Sequence, residues 1–134
     1  MKTASKIGLT LVLAMVLTVF ISSAVLSLEP NEKEYNEYLI KALKDDNIGI
    51  RSSAAQLLGE RKVKEAVKPL AAMLKTEKNY AVRIVTAVAL HQIGDEKVLP
   101  LLKERYRKDR NLTVKHVLAG LIENLETKHY ANNK

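Results

Sequence analysis

The chain has 134 residues, of which 28% are charged and 4% aromatic, with no Trp and a formal net charge of +7. That length holds one modest domain, and so few aromatic side chains require a mostly aliphatic core. The absence of Cys excludes disulfides, Cys-ligated zinc and thiol catalysis.

Residues 1–27 read as a segment separate from the fold. Lys2 and Lys6 give a basic start, Ile7 to Leu28 is an unbroken run without a charge, and Glu29-Pro30-Asn31-Glu32 turns abruptly polar. This is the pattern of a secretory signal peptide. Small residues at Ser22 and Ala24, or at Val25 and Ser27, offer cleavage sites. The alternative is an uncleaved anchor, since about 20 apolar residues can span a bilayer. Ser22, Ser23 and Ser27 at the end of the run favour cleavage. Either reading puts the domain outside the cytoplasm, in the periplasm or secreted from a bacterial cell, because Lys2 and Lys6 hold the N-terminus inside. A membrane is a partner only if the segment stays uncleaved. Cleavage removes two positive charges and leaves +5.

Residues 28–37 form a polar lead. Asn31 with Glu34 three residues on resembles a capping box. From there Tyr35, Leu39, Ala42 and Leu43 fall on one helical face, which marks a first helix. Asp45-Asp46-Asn47 ends it.

The next stretch, Ile50-Arg51-Ser52-Ser53-Ala54-Ala55-Gln56-Leu57-Leu58-Gly59, is written three times. Its copies begin at Val82 and Val114, so the step from Ile50 to Val82 equals the step from Val82 to Val114. Asn47, Asn79 and Asn111 are identical and in step. Asp45, Glu77 and Asp109 supply an acid, Arg51, Arg83 and Lys115 a base, Ala55, Ala87 and Ala119 a small residue, and Ile48, Tyr80 and Leu112 a large one. A fixed period of this size marks a stacked-repeat protein. Each Asn is suited to cap the helix after it, its side-chain oxygen accepting a free backbone N–H. Each repeat is then helix, tight turn, helix. The second helices are expected over 48–59, 80–93 and 112–126. The first helices of repeats two and three are expected over 64–76 and 96–108, the latter capped by Asp95. Pro69 and Pro100 sit near their starts, where a missing N–H costs least. Residues 131–134 read as a disordered tail.

The middle second helix is apolar nearly all round, from Val82 through Ile84, Val85 and Val88 to Ile93. A helix without a polar face must be covered on all sides, and neighbouring repeats supply that cover. Ile50, Ala54, Leu57 and Leu58 make the apolar face of the first copy. The expected fold is all-α: a short α-solenoid of three repeats over residues 38–130.

At these residues the chain resembles the HEAT-like repeats first described in phycobilisome lyases. Arg51 to Gly59, Ile93-Gly94-Asp95 and Ala66-Val67-Lys68-Pro69-Leu70 match successive parts of that unit. The resemblance implies a stack of helix pairs used mainly as a binding scaffold. Bilin-lyase activity is set aside, because those lyases are larger and work inside the cell, whereas this chain carries an export pattern.

The recurring Arg51, Arg83, Lys115 and Asp45, Glu77, Asp109 read as an inter-repeat ladder that sets register. As exposed pairs they would contribute about 0–1 kcal/mol each. A second basic feature is not periodic: Lys103, Arg105, Arg107, Lys108 and Arg110 crowd the third repeat. Lys103, Tyr106, Arg107 and Arg110 are the candidate binding surface, for a protein partner or for an anionic envelope component such as lipid headgroups or polymers. The export pattern and the scarcity of stacking aromatics beyond Tyr106 argue against nucleic acid.

No catalytic site emerges. His91, His116 and His129 share no i, i+4 spacing and no HExxH occurs. No Gly-rich phosphate loop appears, and no metal or cofactor is expected. The sequence therefore predicts an exported, non-catalytic protein-interaction scaffold. The alternatives are a basic binder of anionic envelope components and a regulatory subunit of an enzyme encoded elsewhere.

Overall fold

A computed structural model describes residues 15–16, 31–95 and 97–132. The N-terminal signal or anchor segment, apart from two helical residues, lies outside the described residues, as do 28–30 of the polar lead and 133–134. Among the described residues there are six α-helices, one 3-10 turn and no strand. The helices are α1 (Glu32–Ala42), α2 (Ile48–Glu60), α3 (Val67–Thr76), α4 (Tyr80–Ile93), α5 (Val98–Lys108) and α6 (Leu112–Asn132). The chain divides into two units, Met1–Tyr35 and Asn36–Lys134, and the repeats belong to the second.

The repeated Asn starts each second helix by the expected route. Asn47 Oδ1 accepts from the N–H groups of Gly49 (2.8 Å) and Ile50 (3.3 Å). Asn79 Oδ1 accepts from Ala81 (2.9 Å) and Val82 (3.3 Å), and Asn111 Oδ1 from Val114 (3.1 Å). Each cap satisfies helix N–H groups that have no partner inside the helix. The first helices start differently. A 3-10 turn, Lys64–Ala66, leads into α3. α5 begins at Val98, two residues later than expected, because Asp95 Oδ1 accepts from the Lys97 N–H (2.8 Å) and holds a turn there. Pro69 and Pro100 are each the third residue of their helix, within the first turn, where no intrahelical N–H is lost.

The helices of the second and third repeats stack as pairs. α4 packs against α2 on one side and α6 on the other, with its own partner α3 alongside; α5 packs on α6 and borders α3. The core is aliphatic and follows the repeat. Leu58 and Leu90, Leu70 and Leu102, and Val82 and Val114 are all buried, and each pair is one period apart. Ala55 and Ala87 are fully buried in the same register. Gly59 marks a close approach of α2 to α4: a Cβ there would lie 2.6 Å from the Ala89 Cα.

Three expectations need correction. Ile84, Val85 and Val88 of α4 are half-exposed, so the middle helix is not covered on all sides. They lie opposite the face carrying Val82, Thr86, Leu90 and Ile93, which takes the buried contacts. Ile50, placed with the core face of α2, is 43% exposed, whereas Val82 and Val114 in its register are buried. Finally, α6 continues through Asn132, so residues 131 and 132 extend the helix instead of forming a tail.

Candidate functional site

The recurring charges form two rungs of a ladder. Arg51 donates through Nε to Glu77 Oε2 (2.9 Å) and through NH2 to Oε1 (3.3 Å). Arg83 repeats this with Asp109, at 2.8 Å and 3.0 Å. The remaining guanidinium nitrogen turns back to the chain's own corner. Arg51 NH1 donates to the carbonyls of Asp45 and Asp46, and Arg83 NH1 to those of Glu77 and Lys78. Each arginine thus ties its own turn to the turn of the next repeat, using the rigid two-pronged fork that Lys lacks. Each acid also accepts from the N–H of the capping Asn two residues on.

The third rung is missing at both ends. The Asp45 carboxylate holds only the Asn47 N–H (2.8 Å) and meets no guanidinium among the described residues. Lys115 meets no acid of a further repeat; its ammonium lies 4.9 Å from the centre of the Tyr106 ring. Nor are the formed rungs weakly held surface pairs. The Asp109 side chain is fully buried and its Arg83 partner nearly so. Burial alone would raise the Asp109 carboxyl, but hydrogen bonds from Arg83, the Asn111 N–H and Arg105 outweigh it and hold the pKa down to about 2. The same opposition, with Arg51 as the donor, holds Glu77 below the ordinary carboxylate range.

Arg105 also binds Asp109, outside the periodic set of charges. Its Nε donates to Asp109 Oδ2 at 2.8 Å. It has no counterpart one period earlier, where Met73 stands, but its i, i+4 placement before the acid is a signal that helix geometry offers.

The third-repeat surface is a groove between α5 and α6 of about 370 Å³. Lys103, Tyr106 and Arg107 of the candidate set line it, facing Ala119 and Ile122 of α6; Arg110 is exposed outside it. Much of the local positive charge is already paired. Lys103 binds Glu126 (2.6 Å), Lys108 binds Glu104 (2.7 Å), and Arg105 binds Asp109 (2.7 Å). The hydrogen bond from Lys108 lowers the Glu104 carboxyl below its usual range. Arg107 and Arg110 remain as cations without an ion pair among the described residues.

Of the histidines, His91 lies within 2.9 Å of Asn124 Oδ1 through Nε2, bridging α4 and α6. His116 is exposed on α6. Among the described residues no three His, Asp or Glu side chains come together as a metal site. No described helix is long and apolar enough to cross a membrane.

The family model for HEAT repeats matches residues 36–123, about two thirds of the chain. Repeats of this family generally serve as protein-interaction scaffolds. No curated protein matches the chain. With helix pairs stacked at a constant period and that match spanning all three of them, the chain belongs to the HEAT-repeat family.

Proposed function

We propose that the protein is an exported, non-catalytic scaffold that binds a protein partner through the groove between α5 and α6. The observation that carries this reading is the groove itself. It joins the exposed ring of Tyr106 and the apolar Ala119 and Ile122 with flanking charges, the mixture of an aromatic anchor and a polar rim that protein contacts use. The lowered carboxyls of Glu77 and Asp109 support the non-catalytic part, since both are engaged in holding repeats together. Export rests on Lys2 and Lys6 followed by the apolar run to Leu28.

A basic binder of anionic envelope components is the second reading, favoured by Arg107 and Arg110. The pairing of Lys103, Lys108 and Arg105 with acids weighs against it, because it removes much of the local charge. Affinity capture from an envelope fraction, washed at low and high salt, separates the two. A defined protein retained at high salt, and lost from Arg107→Glu, supports the scaffold. Retention of lipid or polymer only at low salt supports the charge reading, because exposed charges are screened within about 8 Å at physiological salt. The N-terminal mass of the protein recovered from its own cells tests export: a start near residue 28 supports cleavage, and an intact Met1 in a cytosolic fraction overturns it.

A further inference from the structure

A larger groove lies between α1 and α3, with a volume of about 850 Å³. Its floor is apolar: Ile40 and Leu43 come from the first repeat, Pro69, Ala72 and Met73 from the second. Four lysines surround it. Lys41 lies on α1, Lys44 in the turn after it, Lys68 on α3 and Lys78 in the turn before α4. All four are exposed, and none has an ion pair among the described residues. Glu77 also borders the groove, but Arg51 already holds it. This contrasts with the third repeat, where Lys103 and Lys108 are neutralised by their own acids.

We propose that the α1–α3 groove docks an acidic amphipathic helix of a partner protein, with an apolar stripe on Ile40, Pro69 and Ala72 above the buried Leu43 and Met73, and carboxylates beside Lys41, Lys44, Lys68 and Lys78. An apolar floor with four unpaired lysines on its walls, and Asp45 and Asp46 also in its lining, is the complement of an acidic helix that carries one basic end. A flat anionic membrane fits poorly, because a planar surface does not reach the floor of a groove, and Asp45 and Asp46 in its lining oppose a continuous negative layer. Those acids also give the docked helix a direction. Glu77 and Asp109 each receive an arginine fork, while Asp45, in the same register, receives none. A basic residue at the partner helix's end fills that position, which Arg51 and Arg83 fill for the acids that follow.

The test uses the full chain and a fluorescein-labelled designed helical peptide, with a leucine stripe flanked by glutamates and a terminal arginine, read by anisotropy. Saturable binding is expected. The double variant Lys41→Glu/Lys44→Glu and the single variant Lys68→Glu should each weaken it at least about tenfold. Ala72→Glu, which puts an acid into the floor at an exposed position, should do the same. Asp45→Asn should abolish the preference for the peptide with the arginine over one without it. These sites are exposed, so unchanged helical circular dichroism and thermal unfolding separate lost binding from lost folding. Arg107→Glu should leave peptide affinity unchanged, which keeps this site distinct from the α5–α6 groove. The proposal is overturned by no saturable binding, by equal binding of a peptide with a scrambled stripe, or by indifference to the lysine reversals. Lysine-dependent binding of phosphatidylglycerol vesicles in place of the peptide would also overturn it and assign the groove to lipid.

Discussion

Arg83 and Asp109 are joined by two parallel hydrogen bonds, 2.8 Å and 3.0 Å long, across 26 residues of sequence and one repeat boundary. The acid is shared, since Arg105 reaches the same oxygen from within α5. Replacing Asp109 by Ala leaves two guanidinium groups facing each other in a largely buried place without a counter-charge. Loss of one partner of a buried pair costs about 3–5 kcal/mol. Urea unfolding of the Asp109→Ala variant should show a loss in that range. Arg83→Lys keeps the charge but not the fork and should cost less, about 1–2 kcal/mol. Equal stability of Asp109→Ala and the native protein would show that the ladder does not set register.

Acid should act through the same carboxylate. Its folded pKa of about 2 lies below the unfolded value of 3.8. A depressed carboxylate contributes stability that is complete above its unfolded pKa and is lost as pH falls through the folded one. The contribution is about 2 kcal/mol, disappearing between about pH 5 and pH 2. Glu77, also lowered, adds in the same direction. Denaturation measured across that interval should show native stability falling towards that of Asp109→Asn, the two curves converging near pH 2. A constant gap between them down to that pH would mean that Asp109 is not the titrating group.

Gly59 is a packing requirement of one interface only. A methyl there would sit 2.6 Å from the Ala89 Cα and 2.6 Å from the Gln92 Oε1. Gln92 can swing aside, but the backbone of α4 cannot without parting the helices. At the equivalent position of the next interface stands His91, whose ring bridges to Asn124. Gly59→Ala is therefore expected to destabilise by about 1–3 kcal/mol, despite the better helix propensity of Ala. A neutral or raised melting temperature would show that α2 and α4 can separate freely.

Much of this is legible in the sequence, for a physical reason. A repeated Asn caps a helix by bonds that span two or three residues, so the chain itself supplies donor and acceptor. The acid and base recur because each rung repeats one geometry, and their shared register points to an inter-repeat ladder without saying that each base reaches forward to the next repeat's acid. What stayed hidden depends on distances between helices. An apolar run from Val82 to Ile93 says what can be buried, not how far neighbours reach, and Ile84, Val85 and Val88 are only half-covered. The α1–α3 groove joins Ile40 and Leu43 to Ala72 and Met73; Ile40 and Ala72 stand one period apart, but Leu43 and Met73 have Lys75 and Lys41 in their registers, so the repeat does not announce an apolar floor. Lys103, Tyr106 and Arg107 read as a contact surface in a basic stretch, yet it is the apolar Ala119 and Ile122 opposite that make this surface a groove. The ladder was read as exposed because a sequence shows charge and not depth.

Lys62 and Gly94 stand one period apart and both lie in the left-handed region, with φ of 53° and 74°. Each follows a second helix and turns the chain towards the next repeat. Gly94 signals this in the sequence; Lys62 does not, because its side chain is strained there. A non-glycine residue in this conformation costs about 1–2 kcal/mol, partly offset by the extra unfolded-state freedom of glycine. Lys62→Gly should thus stabilise the protein by about 0.5–1 kcal/mol, and Gly94→Ala should destabilise it by about 1 kcal/mol. For a domain of this size each kcal/mol moves the melting temperature by about 4–8 °C, which calorimetry resolves. Shifts of the same sign for both variants would contradict a shared left-handed turn. Opposite shifts would establish that the repeat keeps a backbone conformation even where it does not keep the residue suited to it.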